Sequence, residues 1–451
     1  MSPSPRILVV ALAIALPAAA CSGGDVATTT TTTTTTTTVP TTVPEPPAAT
    51  ADFVRADIPR ATTTNVGDQE LAQLVDGNTE FAVDLYRTLA DDENLLLSPY
   101  SVAAALTMTY AGARGITAEE MRDVLHLGLD DDRIHAARNE LDLRITAEPE
   151  GLPDDDREPF TIRVANSLWG QEGYPFREAF LTVLAQQYDA GMNLVDFATA
   201  AEEARITINT WVEEQTEGRI VDLIPPGVID SFTRLVLVNA IWFKANWATP
   251  FVEEATTDAP FVRLDGTEVT VPMMHGSLQA GYGGGDGYEA VRLPYAGDAA
   301  MVIVVPEEGR FGELRGRLDS ADLEMVRTGL QNRQIDLAMP RFEFRSEAGL
   351  SPALTELGMP TAFAAPDGSG GADFTGITEQ RELFIQDVVH QAFIAVDEQG
   401  TEAAAATAVV IGVTSAPMDP VALTIDRPFL FFIEQASTGE LLFLGQVTDP
   451  S

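Results

Sequence analysis

The sequence predicts an α+β fold, and three observations carry that expectation. Apolar residues recur at helical spacing through the first half of the folded part, and strand-like runs crowd the second half. A chain of 451 residues at 45% hydrophobic content is long enough to bury a large core. No internal repeat of solenoid length breaks the pattern.

Residues 1–20 read as an export signal: Arg6, the apolar run Ile7–Leu16, then Pro17, Ala18, Ala19 and Ala20 ahead of Cys21. The apolar run is too short to span a bilayer as a helix. Small residues before the sole cysteine are similar to a bacterial lipobox, in which Cys21 is lipidated and becomes the mature N-terminus. Ordinary cleavage after the alanines, leaving Cys21 a free thiol, is the alternative. One cysteine excludes an intrachain disulfide in a compartment that would permit one. Residues 21–67 include an uninterrupted run, Thr28–Thr38, and a Pro-rich stretch to Pro47, and are expected to form a disordered tether. The folded domain is expected over 68–451, so the protein would be anchored at a cell surface through Cys21, or secreted.

Along that domain, Glu70–Leu89 has helical spacing, and Ser98 followed by Pro99 caps a second apolar helix, Val102–Tyr110, with Gly112 and Gly115 ending it. A strand-like TIRVANSLW precedes a helix over Phe180–Tyr188, and Ala201–Gly218 is helical again. Strands are expected at Arg234–Phe243, Glu268–Met274, Gly287–Leu293, Ala300–Val305 and Ile335–Met339. Four more are expected at Leu383–Val396, Ala422–Ile425, Leu430–Gln435 and Glu440–Val447.

Charge narrows the function. Lys and Arg total 27 against 68 Asp and Glu, a net charge of −41 that repels nucleic acid and anionic lipid. Membrane contact is therefore expected only through a lipid on Cys21, and no basic helix face offers a heparin-like site. Enzyme signatures are missing too. Lys244 is the sole lysine, and Ile241 stands where a Ser-x-x-Lys motif needs serine. The four histidines, His126, His135, His275 and His390, show no metal-ligand spacing, so neither metal nor cofactor is expected. His126 and His135 are expected to be exposed or capping residues, and His275 to end a strand.

One segment stands apart: EQGTEAAAATA, Glu398–Ala408. Taking every second residue, Thr401, Ala403, Ala405, Thr407, Val409, Ile411 and Val413 share one face of an extended chain. That face has no charge and no proline, so it suits a strand paired on both edges inside a sheet. Gly400 supplies a swivel. The segment reads either as a loop able to become a strand or as a buried strand, TAVVIGV, after a short alanine helix.

The order of motifs decides between them. LSPYSVAAALTMTYAGARG (Leu97–Gly115) is followed by INTWVEEQTEGRI (Ile208–Ile220), LVNAIWFKANWATPF (Leu237–Phe251) and VPMM (Val271–Met274). MPRFEF (Met339–Phe344), ADFTGI (Ala372–Ile377), VHQAFIAVDEQGTEAAAATA from Val389 and LTIDRPFLFFI (Leu423–Ile433) complete the series. With these motifs in this order, the chain from Asp68 to Asp449 resembles a serpin.

The resemblance implies three β-sheets, eight or nine α-helices and a metastable form with an exposed reactive-centre loop after Ala408. It also implies an inhibitor, not an enzyme. A target serine protease, with a cysteine endopeptidase as the alternative, attacks the loop and, as an acyl-enzyme, is trapped when the cut loop inserts into the central sheet. The hinge would be Glu398, Gly400, Thr401, Glu402, Ala403, Ala404, Ala405 and Ala406. The family's spacing from Glu398 would put the reactive bond at Thr414-Ser415; counting back from the family's Pro428-Phe429 anchor would put it near Pro417. Ser98, Ser101, Asn239 and His390 match the family's cluster under the sheet that must part, and Trp247 matches the residue near the point of insertion. No Lys or Arg lies between Arg381 and Arg427, which excludes trypsin-like targets. Small Val413, Thr414 and Ser415 suit elastase-like or subtilisin-like enzymes, and Met418 keeps a chymotrypsin-like target open. The protein is expected to be a monomer whose partner is the protease in covalent complex. A serpin fold without inhibition, serving as a surface binding protein, is the rival reading; the small residues Ala403–Ala406 argue against it.

Overall fold

A computed structural model describes residues 51–147, 161–367, 370–402 and 420–451, together with the backbone but not the side chain of Arg163. All of them fall within the unit Ala48–Ser451. Helices dominate the first part and strands the second, as the α+β expectation required.

The helix Pro99–Tyr110 begins as its sequence dictates. Ser98 accepts the amide of Ser101 at 3.3 Å, and Pro99 fills the first turn, where an amide would lack a partner anyway. Gly112 and Gly115 do not simply end this helix; they separate it from a second, Gly115–Val124. Helix Asp131–Ile145, absent from the expectations, packs beside them, its apolar positions too sparse among DDRIHAARNELDLRI to mark it. Among the described residues there are ten α-helical segments, the last a single turn, Pro360–Phe363.

A seven-stranded sheet runs in the order Asp52–Val54, Met192–Val195, Thr161–Gln171, Leu235–Asn246, Gly400–Thr401, Val388–Val396, Phe342–Gly349. Leu235–Asn246 and Val388–Val396 are buried on both faces, which explains their near-continuous apolar sequences. Phe342–Gly349 alternates buried and exposed positions at the sheet's edge, and its polar alternate residues hid it as a strand.

The second sheet has nine strands, with Thr257–Val262 paired off its main path. Its densest part is Ala299–Pro306, Phe429–Gln435 and Leu441–Val447, each buried throughout. The two further sheets of the expected three are joined here by one long strand, Glu268–Gly285. That strand pairs with Thr257–Val262 at its start, with Tyr288–Pro294 at its end and with Gln331–Pro340 along most of its length. His275 therefore lies inside a strand, not at its end.

Two other expectations are corrected. Residues 51–67 belong to the folded unit: Asp52–Val54 pairs with Met192–Val195, and Arg60 bonds Asn139 at 2.8 Å. The Thr- and Pro-rich composition around them conceals these few anchoring side chains. His135 is neither exposed nor a cap. Its ring lies 5.8 Å from that of Tyr188, whose hydroxyl it meets at 2.7 Å, and burial pushes its pKa down to about 4. His126 does sit just past a helix end, bridging Asp84 and Glu80 at 2.9 and 3.0 Å.

Candidate functional site at the open end of the central sheet

The central sheet is zipped over half its length and open over the rest. Leu235–Asn246 and Val388–Val396 pair directly in parallel over six residue pairs, from Val388 opposite Leu237 to Phe393 opposite Trp242. Beyond Phe393 they diverge, and Gly400–Thr401 fills the gap antiparallel to both. Thr401 lies opposite Val396 on one side and Ala245 on the other, and Gly400 lies opposite Asn246.

A tight reversal makes this possible. Asp397 Oδ1 accepts the amides of Gln399 and Gly400 at 2.8 and 3.1 Å, and the Asp397 amide donates to Gly400 O at 2.9 Å. The amide of Glu402 then donates to Ala395 O at 2.8 Å. Gly400 is required by crowding: a Cβ there would lie 2.0 Å from the carbonyl oxygen of Ala245. The sequence reading assigned this glycine to backbone freedom; the structure adds close approach as the reason.

Charged groups clamp the reversal. Arg341 donates to both carboxylate oxygens of Glu398 at 2.7 and 2.6 Å, and Thr256 donates to one of them at 2.5 Å. Burial would raise the Glu398 carboxyl, but the bonds from Arg341 and Thr256 outweigh it and hold it below the usual range. Glu402 has the opposite balance. Its side chain is 3% exposed, it accepts from Trp242 Nε1 and from Arg219 Nε at 3.1 Å, and Oε1 has no partner among the described residues. Burial pushes its pKa up to about 7 against the pull of Arg219.

Trp247 supports the same turn. Its indole N–H donates to Asp397 O at 2.9 Å, its backbone amide donates to Gln399 O at 2.8 Å, and its ring stacks on Tyr295 at 4.4 Å. Tyr295 in turn places its hydroxyl 2.7 Å from Thr401 Oγ1.

Under the zipped half lies a polar network in an otherwise apolar layer. Ser98, Ser101, Asn239 and His390 are all fully buried and meet there. The backbone amide of Ser98 donates to His390 Nε2 at 3.2 Å, so the ring proton must sit on Nδ1, facing Asn239 Oδ1. Asn239 Nδ2 donates to Ser101 Oγ at 2.7 Å and to Asn166 Oδ1 at 2.5 Å. Ser101 Oγ donates to Asn166 Oδ1 at 3.0 Å, and Ser98 Oγ donates to Leu442 O at 2.8 Å. A protonated imidazole would set two donors face to face, and burial pushes His390 down to about 4. The network crosses the seam between Leu235–Asn246 and Val388–Val396 through the register pair Asn239 and His390.

A family model described as Serpin (serine protease inhibitor) matches residues 76–450. The chain is a serpin. An uncharacterized serpin-like protein of Thermococcus kodakarensis is 41% identical over 382 residues, covering 84% of this chain and 86% of that protein. The human leukocyte elastase inhibitor is 35% identical over 393 residues, covering 84% of this chain and all of the relative, 100%. Among solved structures, the thermophilic serpin tengpin in its native state superposes with a TM-score of 0.76 at 25% identity, covering 89% of this chain and 100% of that one.

In this serpin the structure brings Gly400, Thr401, Glu402 and Trp247 together at the sheet's open end, with Glu398 in the turn beside them. It gathers Ser98, Ser101, Asn239 and His390 at the seam. Ala403, Ala404, Ala405, Ala406, Thr414, Ser415, Pro417 and Met418 lie outside the described residues, as does Cys21. Sequence reasoning missed Asn166, Tyr295, Trp242 and Arg219. Asn166 had a signal, an amide inside the apolar TIRVANSLW strand, but its partner Asn239 is visible only once the two strands are in register.

Proposed function

We propose that this serpin is a suicide inhibitor of serine endopeptidases, trapping the acyl-enzyme when its cut loop continues the insertion that Gly400 and Thr401 begin. The observation that carries this reading is the position of Thr401 between Val396 and Ala245, bonded into a gap that tapers to the zipped pairs below. A chain continuing along that line meets Phe393 and Trp242 next. Insertion exchanges six parallel pairs for an antiparallel ladder on each side of the new strand, and antiparallel pairing is the somewhat stronger kind. If a dozen or so new backbone hydrogen bonds contribute about 1 kcal/mol each, the gain is on the order of 10 kcal/mol, enough to distort a bound protease.

We assign the reactive bond to Thr414-Ser415, sixteen residues beyond Glu398 at its N-terminal side, with elastase-like or subtilisin-like targets. The absence of Lys and Arg between Arg381 and Arg427 supports exclusion of trypsin-like ones. We further assign export and lipid anchoring to Cys21, with the Thr- and Pro-rich stretch as a spacer.

Incubation with elastase, subtilisin, chymotrypsin and trypsin tests this directly. Elastase or subtilisin should give an adduct stable in denaturing detergent, and intact mass should find a released peptide beginning at Ser415. Clean turnover of the loop without adduct, together with an unchanged melting temperature after nicking, would leave the surface-binding reading in its place.

A further inference from the structure

The register of the central sheet points to a second place where a partner would be met. Thr401 lies opposite Val396 and Ala245, which stand three residues beyond Phe393 and Trp242, the last pair joined directly across the seam. Both flanks are therefore already aligned for a strand between them, and the seam has only to part, without sliding. In an antiparallel ladder each step forward on the new strand is one step back along Leu235–Asn246. Ala404 would come between Trp242 and Phe393, Ile411 beside Leu235, and Thr414 level with Phe232.

Phe232 stands just before the first residue of that strand and is 74% exposed, more than any other large apolar side chain among the described residues. A single exposed ring is ordinary, but this one is rigidly mounted. Asp230 Oδ1 accepts the amides of Phe232 and Thr233 at 2.8 and 3.1 Å, and the Asp230 amide donates to Thr233 Oγ1 at 3.0 Å. Arg234 Nη1 donates to Ser231 O and Thr233 O at 2.8 and 2.7 Å. Further back, Asn209 holds both backbone groups of Ile224 at 2.9 and 3.0 Å, and Pro225 and Pro226 stiffen the chain that leaves it. The turn keeps the ring in water in one position, which spares a partner the cost of ordering it.

We propose that Phe232 is a contact for the captured protease, meeting the rim of its active-site cleft once the cut loop has inserted. This rests on the inhibitory reading and on Thr414-Ser415 as the reactive bond. The ester joining Thr414 to the protease serine would then arrive at the level of the ring. Only Gly412, Val413 and Thr414 would extend past Leu235, roughly 10 Å of chain and too little to hold the enzyme clear of the turn. Covering the ring takes apolar surface out of water, so contact there favours the trapped enzyme staying in place.

Adducts with elastase or subtilisin test this in the parent, Phe232→Tyr, Phe232→Ser and Met325→Ser, the last removing another exposed apolar side chain, on helix Ser320–Gly329. The Phe232→Ser adduct should release active protease about tenfold faster, while Phe232→Tyr and Met325→Ser keep the parent's adduct lifetime and all three free variants melt with the parent. Hydroxyl-radical footprinting should label Phe232 in the free protein and find it protected in the adduct. A Phe232→Ser adduct as long-lived as the parent's, or a ring labelled equally in both states, would overturn the proposal and leave the inhibitory reading standing. Failure of the parent to form any adduct would overturn both.

Discussion

The hydroxyl of Thr401 lies 2.7 Å from the phenol oxygen of Tyr295, and both side chains are buried. Tyr295 is itself fixed by stacking on Trp247, which holds the Asp397 and Gln399 backbone. The pair thus joins the first inserted side chain to the turn that delivers it.

This buried position cannot accept a charge. Thr401→Arg should convert the inhibitor to a substrate, because insertion would carry a guanidinium into an apolar layer with no counter-ion. Ala403→Pro should do the same by deleting a ladder donor. The ratio of cleaved loop to detergent-stable adduct measures both; adduct yield equal to the parent protein for both variants would contradict the insertion mechanism.

Crowding at Gly400 makes a second expectation. In Gly400→Ala the new methyl would meet Ala245 O, so Gly400 and Thr401 should leave the gap. Hydrogen exchange at the amide of Glu402, bonded to Ala395 O, should then accelerate at least about tenfold, the effect of losing some 1.4 kcal/mol of docking. Unchanged protection would show that the turn absorbs the methyl.

The Glu402 carboxyl makes docking pH-dependent. Its pKa is about 7 when docked, against an ordinary 4.5, so between these values the docked hinge holds the extra proton. Docking should be fully favoured below about 4.5 and should weaken as pH rises through 7. Trp242 touches this carboxylate, so tryptophan emission should titrate with a midpoint near 7 and lose that transition in Glu402→Gln.

His390 works in the other direction. Folded, its pKa is about 4 rather than 6.5, so the unfolded chain binds the extra proton between those values. The stability this contributes is present above about 6.5, declines as pH falls and is gone below about 4; the shift corresponds to on the order of 3 kcal/mol. Urea midpoints measured from pH 7 to pH 4 should fall accordingly, and His390→Gln should reduce the decline to the share carried by His135, whose pKa burial likewise pushes down to about 4. A decline of undiminished size in that variant would place the titration elsewhere.

Much of the candidate site was legible because it is encoded locally. Ser98 and Pro99 announce a helix start through capping chemistry, and the alternation from Thr401 announces a strand-competent face. Phe342–Gly349 and Asp131–Ile145 escaped because edge strands and half-buried helices carry weak apolar periodicity. His135 escaped for a different reason: its burial is created by Tyr110 and Tyr188, which approach from other helices.

The chain's own order of residues determined the family, the α+β class, the run of small residues after Gly400 and the absence of Lys and Arg between Arg381 and Arg427, since each depends on neighbours in sequence. Only the tertiary structure decided that Gly400 and Thr401 sit docked between two strands and that Asn166 completes the network with Asn239 and His390. Those relationships depend on strand register and helix packing, which bring together residues that no local spacing connects.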